Sequence, residues 1–137
     1  MKIDNWVVIV TLAALLVYFC MGIRVAGARR TFEVPVPATS GPPEFERTFR
    51  VQMNTLEWLP IFLPSLWLFA AYWDGRIAAA IGAAWIVGRV LYAFGYTREA
   101  KARAPGFGIQ ALASAILLFG ALGKAIWLAA TGGQLSP

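Results

Sequence analysis

The chain has 137 residues, 59% of them apolar and only 14% charged, whereas a soluble domain carries roughly 45–50% apolar and roughly 25% charged residues. That composition excludes a water-soluble globule, and the 14% of aromatic residues excludes disorder. With no histidine and one cysteine, Cys20, the sequence also excludes internal disulfides, zinc fingers, paired-cysteine haem attachment and imidazole base chemistry. The net charge of +5 sits in the connections between apolar segments. It marks membrane topology, and no nucleic-acid-binding face is expected.

The first apolar segment, Trp6 to Ile23, is an uncharged run of 18 residues closed by Arg24. A signal peptide would carry a shorter apolar region of about 7–15 residues and a small-residue cleavage site. Ala26-Gly27-Ala28 matches such a site only weakly, so a retained first helix is expected over about 6–28. Pro35, Pro37, Gly41, Pro42 and Pro43 then impose an exposed loop. A second helix is expected over about 44–73, started by Pro43, where a missing N–H costs nothing, and bent by Pro60 and Pro64. Asp74-Gly75 reads as a tight turn. A third helix follows over about 76–103, ended by Pro105-Gly106, and a fourth over about 106–130.

Each segment has the roughly 20 residues needed to cross about 30 Å of hydrocarbon. The expected fold is therefore all-α, a single domain over 1–137 forming a four-helix integral membrane bundle. Arg24, Arg29, Arg30, Arg98, Lys101 and Arg103 lie in the first and third connections, against Lys2 and Arg76 on the other side. This asymmetry predicts that loops one and three face the cytoplasm. Ala80, Ala84 and Gly88, at four-residue spacing, read as bundle packing.

Ionisable residues are costly in a bilayer, so their placement is informative. At about 100° per residue, Arg47, Arg50, Asn54 and Glu57 fall within about 80° of one another on the second helix. Arg89, Tyr92, Tyr96 and Arg103 fall within about 60° on the third. Glu57 is expected to pair with Arg50 or Arg89, and Arg89 is the better candidate for a purely structural pair. The remaining arginines outnumber the acids near one end of the bundle, which points to an anionic ligand. Glutathione, with two carboxylates, an ammonium group and a thiol, fits these cations, Glu57 and the donors of Asn54, Tyr92 and Tyr96. Sulfate, phosphate or an acidic lipid would satisfy the same cations. Arginine beside the glutathione sulfur would favour the thiolate, the nucleophilic form. Lowering its pKa from about 8.5 toward 6–7 asks roughly 2–3 kcal/mol of the site.

At these residues the sequence resembles the MAPEG family of membrane-associated proteins in eicosanoid and glutathione metabolism. The resemblance lies in GPPEFERTFRVQMNTLEWLPIF from Gly41 to Phe62, in AWIVGRVLYAFGYTREAKAR from Ala84 to Arg103, and in Ala28-Arg29-Arg30. It is nearest the microsomal glutathione transferase and leukotriene-C synthase branches. It implies a four-helix protomer in a homotrimer, with glutathione as co-substrate bound between adjacent subunits and no metal. It further implies that Arg50, Gln52, Asn54, Glu57, Tyr92 and Tyr96 hold glutathione and that Arg29 reaches a carboxylate. Arg103 would stabilise the thiolate, with Arg30 assisting across the reacting centre. Trp58 stands where family members often have tyrosine, in a cofactor-binding position stripped of its phenol.

The implied activity is attack of the glutathione thiolate on lipophilic electrophiles arriving from the membrane, with reduction of lipid hydroperoxides as a possible companion reaction. Two other readings are a non-enzymatic lipid-binding scaffold of the same family and a small four-helix transporter using Glu57. Cys20 reads as a packing residue and Lys124 as an interfacial one.

Overall fold

The computed structural model describes residues 4–134. Four α-helices account for most of them, and no strand occurs among the described residues. Helix α1 spans Asn5–Thr31 and is capped by Asp4, whose carboxylate accepts from the Trp6 amide at 2.8 Å. It runs three residues beyond the expected end, which makes Arg29 and Arg30 part of its last turn. Glu33 then adopts φ 54°, and the Val34 amide returns to the Arg29 carbonyl at 3.0 Å. This wrapped terminus satisfies an otherwise orphaned carbonyl and buries Val34. Helix α2 spans Pro43–Tyr72, with Pro43 in its first turn and Pro60 and Pro64 inside it. At about 1.5 Å per residue its 30 residues measure about 45 Å.

Helix α3 spans Gly75–Arg98. Asp74, expected as part of a turn, also caps this helix by accepting from the Ile77 amide at 2.9 Å. The expected end near residue 103 is corrected. Glu99 is extended at φ −152° and ψ 137°, and Ala100–Arg103 forms a separate 3₁₀ turn. The chain turns back on itself here: the Ala102 carbonyl lies against Gly95, an approach that only a residue without a side chain permits. Helix α4 spans Ala104–Thr131, so Pro105 lies in its first turn rather than closing α3.

The helices bury one central cluster, with Val7, Val10 and Ala14 of α1 against Leu59, Phe62 and Leu66 of α2. From the other side it is closed by Trp85 of α3 and Leu117 of α4. Phe62 and Trp85 stack face to face at 4.1 Å in its middle. Helices α3 and α4 come closest at Gly88 and Gly106, where a Cβ on Gly106 would meet the Gly88 carbonyl oxygen at 2.5 Å. Of the small-residue stripe expected to pack within the bundle, only Gly88 does so. Ala80 and Ala84 are exposed, and Ala78, Ala79 and Gly82 fill the inner face instead.

Three segments, Asn5–Thr31, Gly75–Arg98 and Ala100–Thr131, are long and apolar enough to cross a membrane. Helix α2 differs because Glu44, Glu46, Arg47, Arg50 and Glu57 crowd its first half, while its second half joins the common core. The C-terminal ends of α1 and α3 and the N-terminal ends of α2 and α4 gather at one end of the bundle, and most of the arginines go with them.

Candidate functional site

The polar faces of α2 and α3 meet at Asn54. Arg89 of α3 is fully buried, and its two terminal nitrogens donate to the Asn54 side-chain carbonyl at 3.1 and 3.2 Å. The guanidinium lies 4.5 Å from the Tyr92 ring centre and 5.7 Å from that of Trp85. Aromatic faces and an amide thus offset the cost of burying the charge. The Asn54 amide nitrogen donates in turn to Glu57 at 3.3 Å. The direct Glu57–Arg89 pair expected from sequence is therefore replaced by a relay. Asn54 lies one turn closer to Arg89, and its amide presents an acceptor to the cation and a donor to the acid.

Asn54→Leu removes the oxygen to which both terminal guanidinium nitrogens donate and leaves the cation buried. Thermal unfolding in detergent is expected to register a loss of about 2–3 kcal/mol, the scale of hydrogen bonds to a charged group.

Beside this relay an open cleft of about 210 Å³ is lined by Asn54, Tyr92, Arg103 and Phe107. Tyr96 stacks on Tyr92 with ring centres 5.7 Å apart, and the Arg103 guanidinium sits 5.3 Å above Tyr96. Arg103 is carried there by the 3₁₀ turn after the break at Glu99, not by the continuous helix that the angular arithmetic assumed. Trp58 meets Phe107 edge to face at 5.7 Å, and Phe107 is 6.4 Å from Tyr92. Phe107 was not among the residues expected here. Polar patterning carries no signal for an apolar side chain, although its place two residues after the Pro105 helix start puts it at the same end of the bundle.

The other expected residues lie elsewhere on the same copy. Arg50 is exposed and lines a separate opening of about 280 Å³ with Thr39, Ser40, Glu46 and Phe49. Gln52 faces α1, where its side-chain nitrogen lies 3.2 Å from the Cβ position of Gly22. That direction is about 200° around α2 from Asn54. Arg30 is exposed on the last turn of α1. Arg29 is engaged with the first loop, donating to the Ala38 carbonyl at 2.6 Å and lying 5.2 Å from the Phe45 ring centre. The ten residues thus form two groups. Asn54, Glu57, Trp58, Tyr92, Tyr96 and Arg103 surround the cleft or adjoin it. Arg29, Arg30, Arg50 and Gln52 lie outside that grouping. A permanent cation, two phenols and a carboxylate thus gather at one end of an apolar bundle.

Known proteins share this sequence over most of its length. The MAPEG family model matches residues 7–123. An uncharacterized protein of Synechocystis sp., sll1147, is 48% identical over 122 residues, covering 89% of each chain. Human microsomal glutathione S-transferase 2 is 43% identical over 109 residues, 79% of this chain and 73% of the relative. Rat leukotriene C4 synthase is 44% identical over 94 residues, 69% of this chain and 63% of the relative. With four helices in this order and a match spanning nearly the whole bundle, the chain belongs to the MAPEG family, and it is a membrane protein.

Proposed function

We propose that the protein is a membrane-embedded glutathione transferase, binding glutathione at its arginine-rich end and delivering the thiolate to electrophiles dissolved in the bilayer. The observation that carries this reading is the gathering of Asn54, Tyr92, Arg103 and Phe107 around one cleft, with Glu57 tied in through Asn54. In this reading Glu57 receives the peptide's ammonium group. Arg103, above the tyrosine pair, provides a fixed positive field for the sulfur. Its contribution is electrostatic, since an arginine does not act as a base at neutral pH. In the reaction with a chlorinated nitroaromatic compound, a carbon–sulfur bond forms and the carbon–chlorine bond breaks. Chloride leaves, and the thiol proton goes to solvent.

The cleft of about 210 Å³ is smaller than the roughly 300–1,000 Å³ of a complete small-molecule site. Arg30 and Gln52 lie on a different face of the same copy. Both facts support a site completed by a second copy in a homotrimer, with Arg30 and Gln52 supplied from the neighbour. In this reading the arginine-rich end faces the cytoplasm, where the excess of Lys and Arg belongs.

The deciding experiment supplies purified protein with glutathione and either 1-chloro-2,4-dinitrobenzene or a lipid hydroperoxide. Thioether formation is the expected result. Glutathione-dependent conversion of the hydroperoxide to its alcohol, with two glutathiones oxidised to the disulfide, would add the second activity. Glutathione or lipid binding without turnover of either electrophile would favour a scaffold. Proton-coupled uptake by reconstituted vesicles would favour a transporter. Arg50, which lines an opening of its own on this copy, is assigned in this reading to a glutathione carboxylate, so Arg50→Ala is expected to weaken glutathione binding by about 10- to 100-fold, the loss of one charged hydrogen-bonded contact. The pKa of the bound thiol should stay unchanged, and titration calorimetry with a thiolate absorbance titration measures both quantities.

A further inference from the structure

The face formed by α1 and α3 carries a second depression, separate from the Arg103 cleft. It encloses about 270 Å³, and its walls are aliphatic and aromatic: Leu16, Val17 and Met21 from α1, Val90 and Phe94 from α3. Arg24 closes one end, its guanidinium 5.6 Å from the Phe94 ring centre. Arg24 and Met21 also line an adjoining notch of about 10 Å³ beside Thr48 and Thr97. That volume is about what a single oxygen-sized group needs. No acidic residue lines either space among the described residues.

The dimensions match one leaflet of a bilayer. From Leu16 to Arg24 the helix rises about 12 Å, against about 15 Å for half of a hydrocarbon core. Arg24 directly follows the uncharged run that began at Trp6, so its charge stands at headgroup depth. The chemistry is equally divided, an apolar groove leading to a cation. The Thr48 and Thr97 hydroxyls are turned back on the carbonyls of Glu44 and Ala93, each at 2.9 Å. Recognition of charge therefore rests on Arg24.

We propose that this groove is a binding site for an anionic glycerophospholipid, with one acyl chain lying between α1 and α3 and the phosphate on Arg24. The bilayer is the source of the ligand, because the groove is open to lipid along its length and its cation waits at the depth of phosphates. A single arginine at the surface corresponds to about a fivefold preference for anionic over zwitterionic lipid.

Cys20 opens onto the groove and is the sole cysteine, which makes it the reporter. The whole protein is reconstituted into phosphatidylcholine vesicles and into vesicles of phosphatidylcholine with phosphatidylglycerol, and alkylation of Cys20 by an uncharged, membrane-soluble maleimide is timed. Labelling should be about fivefold slower in the phosphatidylglycerol vesicles for the wild type, and equally fast in both for Arg24→Gln. Equal wild-type rates would overturn the proposal. So would a slowing that persists in Arg24→Gln, because it would report bulk surface charge. Protection by oleate added to phosphatidylcholine, without protection by phosphatidylglycerol, would assign the groove to free fatty acids and overturn it as well.

Discussion

Replacing Arg103 with alanine is expected to lower kcat/KM for glutathione conjugation roughly 15- to 30-fold at pH 7 while leaving glutathione affinity within tenfold of wild type. The size follows from the ionisation of the bound thiol. With its pKa held near 6–7, more than about half of the bound glutathione is thiolate at neutral pH. Released toward about 8.5, only a few per cent is. The sign fixes a second signature. Removing the cation raises the thiol pKa, so the deficit should be largest below pH 7 and should close as the pH passes about 8.5. A merely structural loss would lower activity by the same factor across the range. The pH–rate profile, together with the ultraviolet absorbance of the bound thiolate, separates the two. Arg103→Lys keeps a charge above the Tyr96 ring, where Arg103 sits at 5.3 Å, and should recover part of the low-pH activity.

Gly106→Ala is expected to destabilise the folded bundle by about 3 kcal/mol or more, which a thermal unfolding series in detergent would register. A Cβ on Gly106 would collide with the Tyr92 amide nitrogen and with the Gly88 carbonyl oxygen at 2.5 Å. Both are backbone atoms of α3, so no side chain can swing away, and relief requires the two helices to separate. Overpacking usually costs about 1–3 kcal/mol where side chains adjust, and more where they cannot. Gly108, on the next stretch of the same helix, is the control, since nothing lies within 4 Å of its Cβ position. Gly108→Ala should leave stability unchanged or raise it by up to about 1 kcal/mol through helix propensity. Because Tyr92 lines the cleft, partial separation of α3 and α4 in Gly106→Ala should also lower glutathione affinity.

Much of this arrangement was readable from residue order because it depends on local rules. The apolar runs, the proline-rich loop and the turn at Asp74-Gly75 belong to short stretches of chain whose behaviour neighbouring residues decide. Half of the α2 stripe survives for the same reason: Asn54 and Glu57 sit one turn apart on a continuous helix and are joined by a hydrogen bond, whereas Arg50 lines a separate opening. What escaped is tertiary in origin. REAKAR contains only good helix formers, and nothing in it announces that Glu99 will be extended. The break is accompanied by the Ala102 carbonyl lying against Gly95, a contact that helical periodicity does not encode. Arg89 was legible as a buried structural cation, but its partner was not. Carboxylate and amide both lie on the correct face of α2, and the choice of Asn54 depends on helix offset. Phe107 escaped because an aromatic residue among apolar neighbours has no distinguishing pattern, whatever cleft it borders.

The short 3₁₀ turn from Ala100 to Arg103 links two long helices whose own packing is settled elsewhere, at Gly88 and Gly106. Its residues are all exposed. Substitutions at Lys101 or Ala100 can therefore shift the Arg103 guanidinium relative to Tyr96 and the cleft at small cost to the scaffold. This linker gives evolution, or a protein engineer, a place to adjust the charge at the cleft while the helix packing stays constant.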